Sequence, residues 1–225
     1  MMMEKNRIGF WLASLTAVLT TVTFSLALLG TLSYTYPYPY TPSYIQADYL
    51  WLIPAFLLMP LFVVLVAFIH HNASNEKKLF SQIALSFATI SAAMLMLDFF
   101  IQWTVVLPST LAGETEGLSL FTQYNPHGLF VSIESLAYIL MSTSFLALAP
   151  LFNEGRLQRS IRFLFVAGFV LATGSFIGLT LAGHDAVQFE VLVITIDWIT
   201  LIVSGILLGV LFRHAARAPR GDGQT

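Results

Sequence analysis

Apolar residues run through this chain in long blocks, and short polar stretches separate them. A helix needs about 20 apolar residues to cross a bilayer. Six blocks reach that length: Ile8–Leu29, Tyr49–Ile69, Phe80–Leu107, Gly128–Phe152, Ile161–Ala182 and Phe189–Phe212. The pattern predicts an all-α, polytopic membrane bundle of six transmembrane helices. It forms one domain over residues 1–218, followed by a flexible tail at 219–225. The third block is the longest and is expected to tilt or to run beyond the bilayer. The first block has a basic start but is longer than the apolar core of a signal peptide, so it reads as a retained span. Pro54 and Pro60 are expected to kink the second.

Composition agrees with lipid as the solvent. Hydrophobic residues make up 57% of the 225, and charged residues only 10%, whereas soluble domains carry about 25% charged residues. There are no cysteines, which excludes disulfides, thiolate metal sites and a cysteine nucleophile.

Charge then orients the bundle. All ten Lys and Arg residues fall on one side of the six-span pattern: Lys5, Arg7, Lys77, Lys78, Arg156, Arg159, Arg162, Arg213, Arg217 and Arg220. The opposite connections carry Asp48, Glu114, Glu116, Asp185 and Glu190 and no base. The positive-inside rule therefore predicts that both termini are cytoplasmic. The expected location is a prokaryotic plasma membrane. The Asn72-Ala73-Ser74 sequon falls on the cytoplasmic side and is discounted.

Two outer connections stand out. Residues 31–48 carry Pro37, Pro39 and Pro42 among five tyrosines, which suits an extended aromatic belt at headgroup level or a lid. The connection before the fourth span is long for a hairpin. Its apolar stretch Leu118–Phe121 could form a short interfacial helix, and Asn125-Pro126 suits an N-cap and first helical position.

Three acids lie inside apolar blocks: Asp98, Glu134 and Asp197. A charge at bilayer depth costs several kcal/mol, and such residues usually face the bundle interior. One base, Arg162, falls inside a span, as its second residue, so no Lys or Arg lies at the depth of the acids to offset them. A rise of about 1.5 Å per residue puts them roughly 14, 9 and 12 Å below the outer ends of their spans. They are expected near one level in the outer half, within reach of one cavity. Helical spacing extends each into a stripe: Ser91, Asp98 and Gln102; His127, Glu134, Tyr138 and Ser142; Glu190, Asp197 and Ser204. Trp103 and Trp198 stand beside the acids and could wall the cavity. Gly174-x-x-x-Gly178, Gly205-x-x-x-Gly209 and Ala13-x-x-x-Ala17 are small-residue spacings that favour close helix packing.

Three ionised carboxylates in one dry cavity would repel, so protons, a cation or neutral hydrogen bonds must satisfy them. Three readings follow. In the first, an outward acidic cavity binds or transports a proton, a cation or a small cationic solute, with Trp faces helping to hold an organic ammonium. In the second, the chain is a structural or accessory subunit whose protonated acids bond to neighbouring spans. In the third, it is an intramembrane metal-dependent enzyme, with His127, Glu134, Asp98 and Asp197 as ligand candidates. No HExxH or Gly-x-Ser-x-Gly motif supports catalysis, and no catalytic residue or cofactor is assigned. The expected partners are the lipid bilayer, a cation or small cationic solute, and a membrane protein partner, but not nucleic acid.

The stretch GETEGLSLFTQYNPHGLF at residues 113–130 is the most distinctive part of the chain. Through it the chain loosely resembles uncharacterised prokaryotic six-span integral membrane proteins of unknown function, a resemblance that implies the fold and no activity. A weaker similarity, through the six-span size and Ala13-x-x-x-Ala17, is to the substrate-capture subunits of vitamin uptake systems.

Overall fold

The fold was taken from a computed structural model, which describes residues 2–31, 49–114, 116–125, 127–181 and 186–217, with the backbone alone at 2–3, 30–31, 186–191 and 217. The described residues contain six helices long and apolar enough to cross a membrane. They are α1 (Met2–Thr31), α2 (Leu52–Asn72), α3 (Lys78–Ile101), α4 (Leu129–Leu148), α5 (Gly155–Leu181) and α6 (Ala186–Arg217). The tyrosine-rich stretch, His184, Asp185 and the tail at 219–225 lie outside the described residues.

Apolar surface drives no helix association in lipid, so close packing and polar contacts must hold the bundle. The sequence supplies both. Along α3, buried positions recur as Ser81, Ala84, Ala88, Ser91, Leu95, Asp98 and Gln102, alternating steps of three and four. Along α4, Phe130, Glu134, Ala137, Met141, Ser144 and Leu148 do the same. This is the heptad pattern of a helix–helix seam. The small α3 residues bring the backbones close enough for hydroxyls to cross. Ser91 Oγ donates to Ala137 O at 2.7 Å, and Ser144 Oγ donates to Ala84 O at 2.8 Å.

Neighbour relations close a ring in the order α1, α2, α3, α4, α6, with α5 packed outside against α4 and α6. Gly205 of α6 is required where it stands, because a Cβ there would lie 2.8 Å from Ala13 O and 2.9 Å from Ala17 Cβ. Two of the predicted small-residue spacings thus meet each other. The third does not: Gly174 and Gly178 are exposed with nothing within 4 Å of a Cβ. The glycine that matters on α5 is Gly168, whose Cβ would lie 2.8 Å from Thr200 Oγ1.

The helix ends explain part of the charge asymmetry. α2 and α4 finish at the same end of the bundle as α3 begins. There Lys78 Nζ donates to His70 O at 2.6 Å and to His71 O at 3.2 Å, and Lys77 Nζ donates to Leu151 O at 3.2 Å. Cations at helix C-termini satisfy orphan carbonyls and oppose the helix dipole. This is called the basic end below, and its opposite the far end.

The third span continues past Ile101 as a π-helical turn, Gln102–Val106, and a last α-helical turn, Leu107–Leu111. Leu107 N reaches back five residues to Gln102 O. Pro108 follows at once and has no N–H for the regular ladder, so the widened turn stands where the regular bonding is already broken. Pro54 falls in the first turn of α2, where its missing donor costs nothing. Pro60 lies inside that helix.

Candidate functional site: an acidic seam between two helices

The two cross-helix serine bonds fix the register of α3 against α4. Ser91 lies opposite Ala137, and Ala84 lies opposite Ser144, seven residues further along both helices. Asp98 is seven residues beyond Ser91, and Glu134 is three before Ala137. Their Cα levels therefore differ by four residues, about 6 Å along the axis. Side chains lean toward the N-terminus of their own helix. The helices are antiparallel, so Asp98 leans toward the level of Glu134 and Glu134 toward that of Asp98. The lean closes the offset and aims both carboxyl groups into the same stretch of seam. Both are buried, Asp98 at 2% and Glu134 at 1% exposure.

Asp197 is held elsewhere. Ser142 Oγ donates to its Oδ1 at 2.6 Å. Ser142 is eight residues past Glu134 on α4, about 12 Å toward the basic end. The expected meeting of three acids at one level is therefore replaced by a pair and a third acid about two turns away. Helical spacing within α6 put Asp197 at the right face. Its level depends on how α6 slides against α4, which spacing within one helix does not carry. Asp197 Oδ2 is buried and takes no hydrogen bond from a described residue.

Tyr138 stands between the two acid levels, one turn past Glu134 and one before Ser142. Its hydroxyl accepts a hydrogen bond from Trp198 Nε1 at 2.8 Å. A phenol that accepts one bond can donate another. Glu134, Tyr138 and Ser142 thus form a ladder of proton-bearing groups along one stripe of α4, with Asp98 at its far end and Asp197 at its basic end.

Trp198 is not an open wall. It is buried, with Phe24 of α1 at 5.5 Å, Trp51 at 6.0 Å and Tyr138 at 6.4 Å between ring centroids. Trp51 in turn meets Phe99 edge-on at 5.4 Å. Edge-to-face and tilted contacts of this kind fill the ring interior. Trp103 packs away from this cluster, against Phe56 at 5.4 Å. The buried Trp198 indole is thus packed among other rings, while Trp103 is half-buried.

Gln102, expected beside the acids, is committed to the loop. Its Nε2 donates to Phe121 O at 2.6 Å, and its Oε1 accepts from Gln123 N at 3.2 Å. The amide ties the loop ahead of α4 to the π turn, one helical turn from Asp98. Among its described residues that loop holds one 3₁₀ turn, Leu118–Leu120, over the predicted apolar stretch.

His127 lies outside the stripe. α4 begins at Leu129 with Gly128 as N-cap, so His127 is an exposed loop residue. The predicted N-cap Asn125 serves the loop instead. Its Oδ1 accepts from His127 N at 3.0 Å, and its Nδ2 donates to Ser119 O at 2.6 Å. A Cβ on Gly128 would lie 3.0 Å from both Asn125 O and Leu120 O, so the chain turns into α4 only at a glycine. Among the described residues no three His, Asp or Glu side chains come together as a metal site. Glu190 lies in α6, with its backbone alone described.

Spacing did not find Ser144, whose hydroxyl pins the seam, nor the buried threonines Thr16, Thr20 and Thr23 of α1. Those three satisfy themselves, each donating to the carbonyl four residues back at 2.7–2.9 Å. Comparison with protein-family models, curated proteins and solved structures finds no match to this chain.

Proposed function

We propose that this is a proton-handling membrane protein, in which Asp98 and Glu134 form an exchangeable proton site and Tyr138, Ser142 and Asp197 extend it along α4. The observation that carries this reading is the placement of two buried carboxyl groups in one helix seam, in a chain whose Lys and Arg residues all lie toward the basic end. Two ionised carboxylates in one buried seam repel each other, and burying each ion costs several kcal/mol more. A shared proton removes most of that cost, and a small cation does the same. The filled aromatic ring around Trp198 favours the proton over a bulky ammonium. In this reading the basic end faces the cytoplasm of a prokaryotic cell, both termini with it, and the acid pair lies nearer the outside.

The test is flux. Purified protein is placed in liposomes with a trapped pH dye, and a potassium gradient with valinomycin sets the potential. Wild type is expected to move protons faster than empty liposomes, and Asp98→Asn or Glu134→Gln to remove at least nine-tenths of that rate. Equal flux in wild type and both variants, or none above empty liposomes, overturns the reading.

A second reading has its own support. The 2.6 Å hydrogen bond from Ser142 to Asp197 and the two hydrogen bonds between Gln102 and its loop are structural uses of polar groups. They suit an accessory subunit whose neutral acids only hold helices together. That reading predicts no flux and a stable partner on gentle solubilisation.

A further inference from the structure

Toward the basic end a groove of about 280 Å³ lies along α1 and α6, lined by Phe10, Ser14 and Ala17 of α1 and by Ile206, Gly209, Val210 and Arg213 of α6. Gly209 faces Ser14 along its floor, where a Cβ would lie 3.4 Å from Ser14 Oγ. Ile206 to Arg213 spans seven residues of α6, about 10 Å of helix.

Its mouth is cationic. Arg213 lies on the groove stripe of α6 and is exposed. Arg7 is exposed three residues before Phe10 and seven before Ser14, on the groove stripe of α1. The two helices are antiparallel, and Gly9 of α1 lies against Phe212 of α6, so Arg7 and Arg213 stand at the same level on either side of the mouth. Glu4, three residues before Arg7, is the nearest acid in α1 and lies one turn further from the groove. Trp11, 59% exposed, marks the same level as a membrane interface, where exposed indoles collect.

We propose that this groove binds one anionic phospholipid, an acyl chain lying along Ser14 and Gly209 and its phosphate held between Arg7 and Arg213. Guanidinium forks match phosphate oxygens in geometry and charge, and basic pockets between helices at a membrane face take anionic headgroups. A second copy of the chain is the less suited occupant. A two-fold contact through this face would bring a second Arg7 and Arg213 to an already cationic mouth.

The test follows unfolding of the full chain in neutral detergent, titrated with phosphatidylglycerol or phosphatidylcholine. Phosphatidylglycerol is expected to raise the unfolding midpoint and phosphatidylcholine to raise it much less. The pair Arg7→Gln and Arg213→Gln is expected to weaken the phosphatidylglycerol effect about thirtyfold in concentration, at about fivefold per arginine. Ser14→Leu, which fills the groove and leaves both arginines, is expected to weaken it as well, while unfolding without lipid near the wild-type midpoint. The proposal is overturned if both lipids act equally, if inorganic phosphate acts as strongly as the lipid, or if either variant responds like wild type. Cross-linking of two copies through Ser14→Cys would also overturn it.

Discussion

Ser142 gives Asp197 its one hydrogen bond from a described residue. Replacing it by alanine leaves a buried carboxyl oxygen without its donor, which costs about 1–3 kcal/mol. Ser142→Ala should lower the unfolding midpoint in detergent, and Ser142→Thr, which keeps the hydroxyl, should recover most of the loss. Gln102 makes a different prediction at this scale. Its amide holds Phe121 and Gln123 by their backbones, so Gln102→Ala should release the loop at 118–125. Hydrogen exchange there is expected to rise at least tenfold while exchange in α3 and α4 is unchanged. Equal protection of the loop in both proteins would remove Gln102 from that role.

At the scale of elements, the α1–α6 and α3–α4 contacts rest on absent side chains. A Cβ on Gly205 meets a backbone carbonyl at 2.8 Å, whereas one on Gly174 meets nothing within 4 Å. Gly205→Val should therefore destabilise by about 1–3 kcal/mol, and Gly174→Val should stay within about 0.5 kcal/mol of wild type. Matched melting curves of the two variants check this. The elements themselves were legible in the sequence, because twenty apolar residues in a row have few other uses. The α3 stripe of Ser91, Asp98 and Gln102 was legible too, because one helix carries its own periodicity. What the sequence could not show was register. Whether Asp197 meets Glu134 or Ser142 depends on sliding between α4 and α6, set by every side chain in the contact. The π turn at Gln102–Val106 and the use of Asn125 in a loop rather than a cap escaped for another reason: both are set by local backbone geometry, which residue spacing does not carry.

For the whole molecule, the basic end gathers the start of α1, the ends of α2, α4 and α6, and the lysines that cap two of them. The chain has no cysteine of its own, so single introduced cysteines report sidedness cleanly. In intact cells an impermeant thiol reagent should label Ser119→Cys from outside and leave Ser74→Cys unlabelled until the membrane is opened. The reverse pattern would invert the bundle. Within this frame the acid pair is the central claim, and infrared spectroscopy addresses it most directly. The account predicts that wild-type protein in lipid at neutral pH shows the C=O stretch of a protonated, buried carboxylic acid. That band should shrink in Asp98→Asn and in Glu134→Gln, and the remainder should persist in the double variant only through Asp197. A wild-type spectrum without such a band, or one that neither substitution alters, would contradict it.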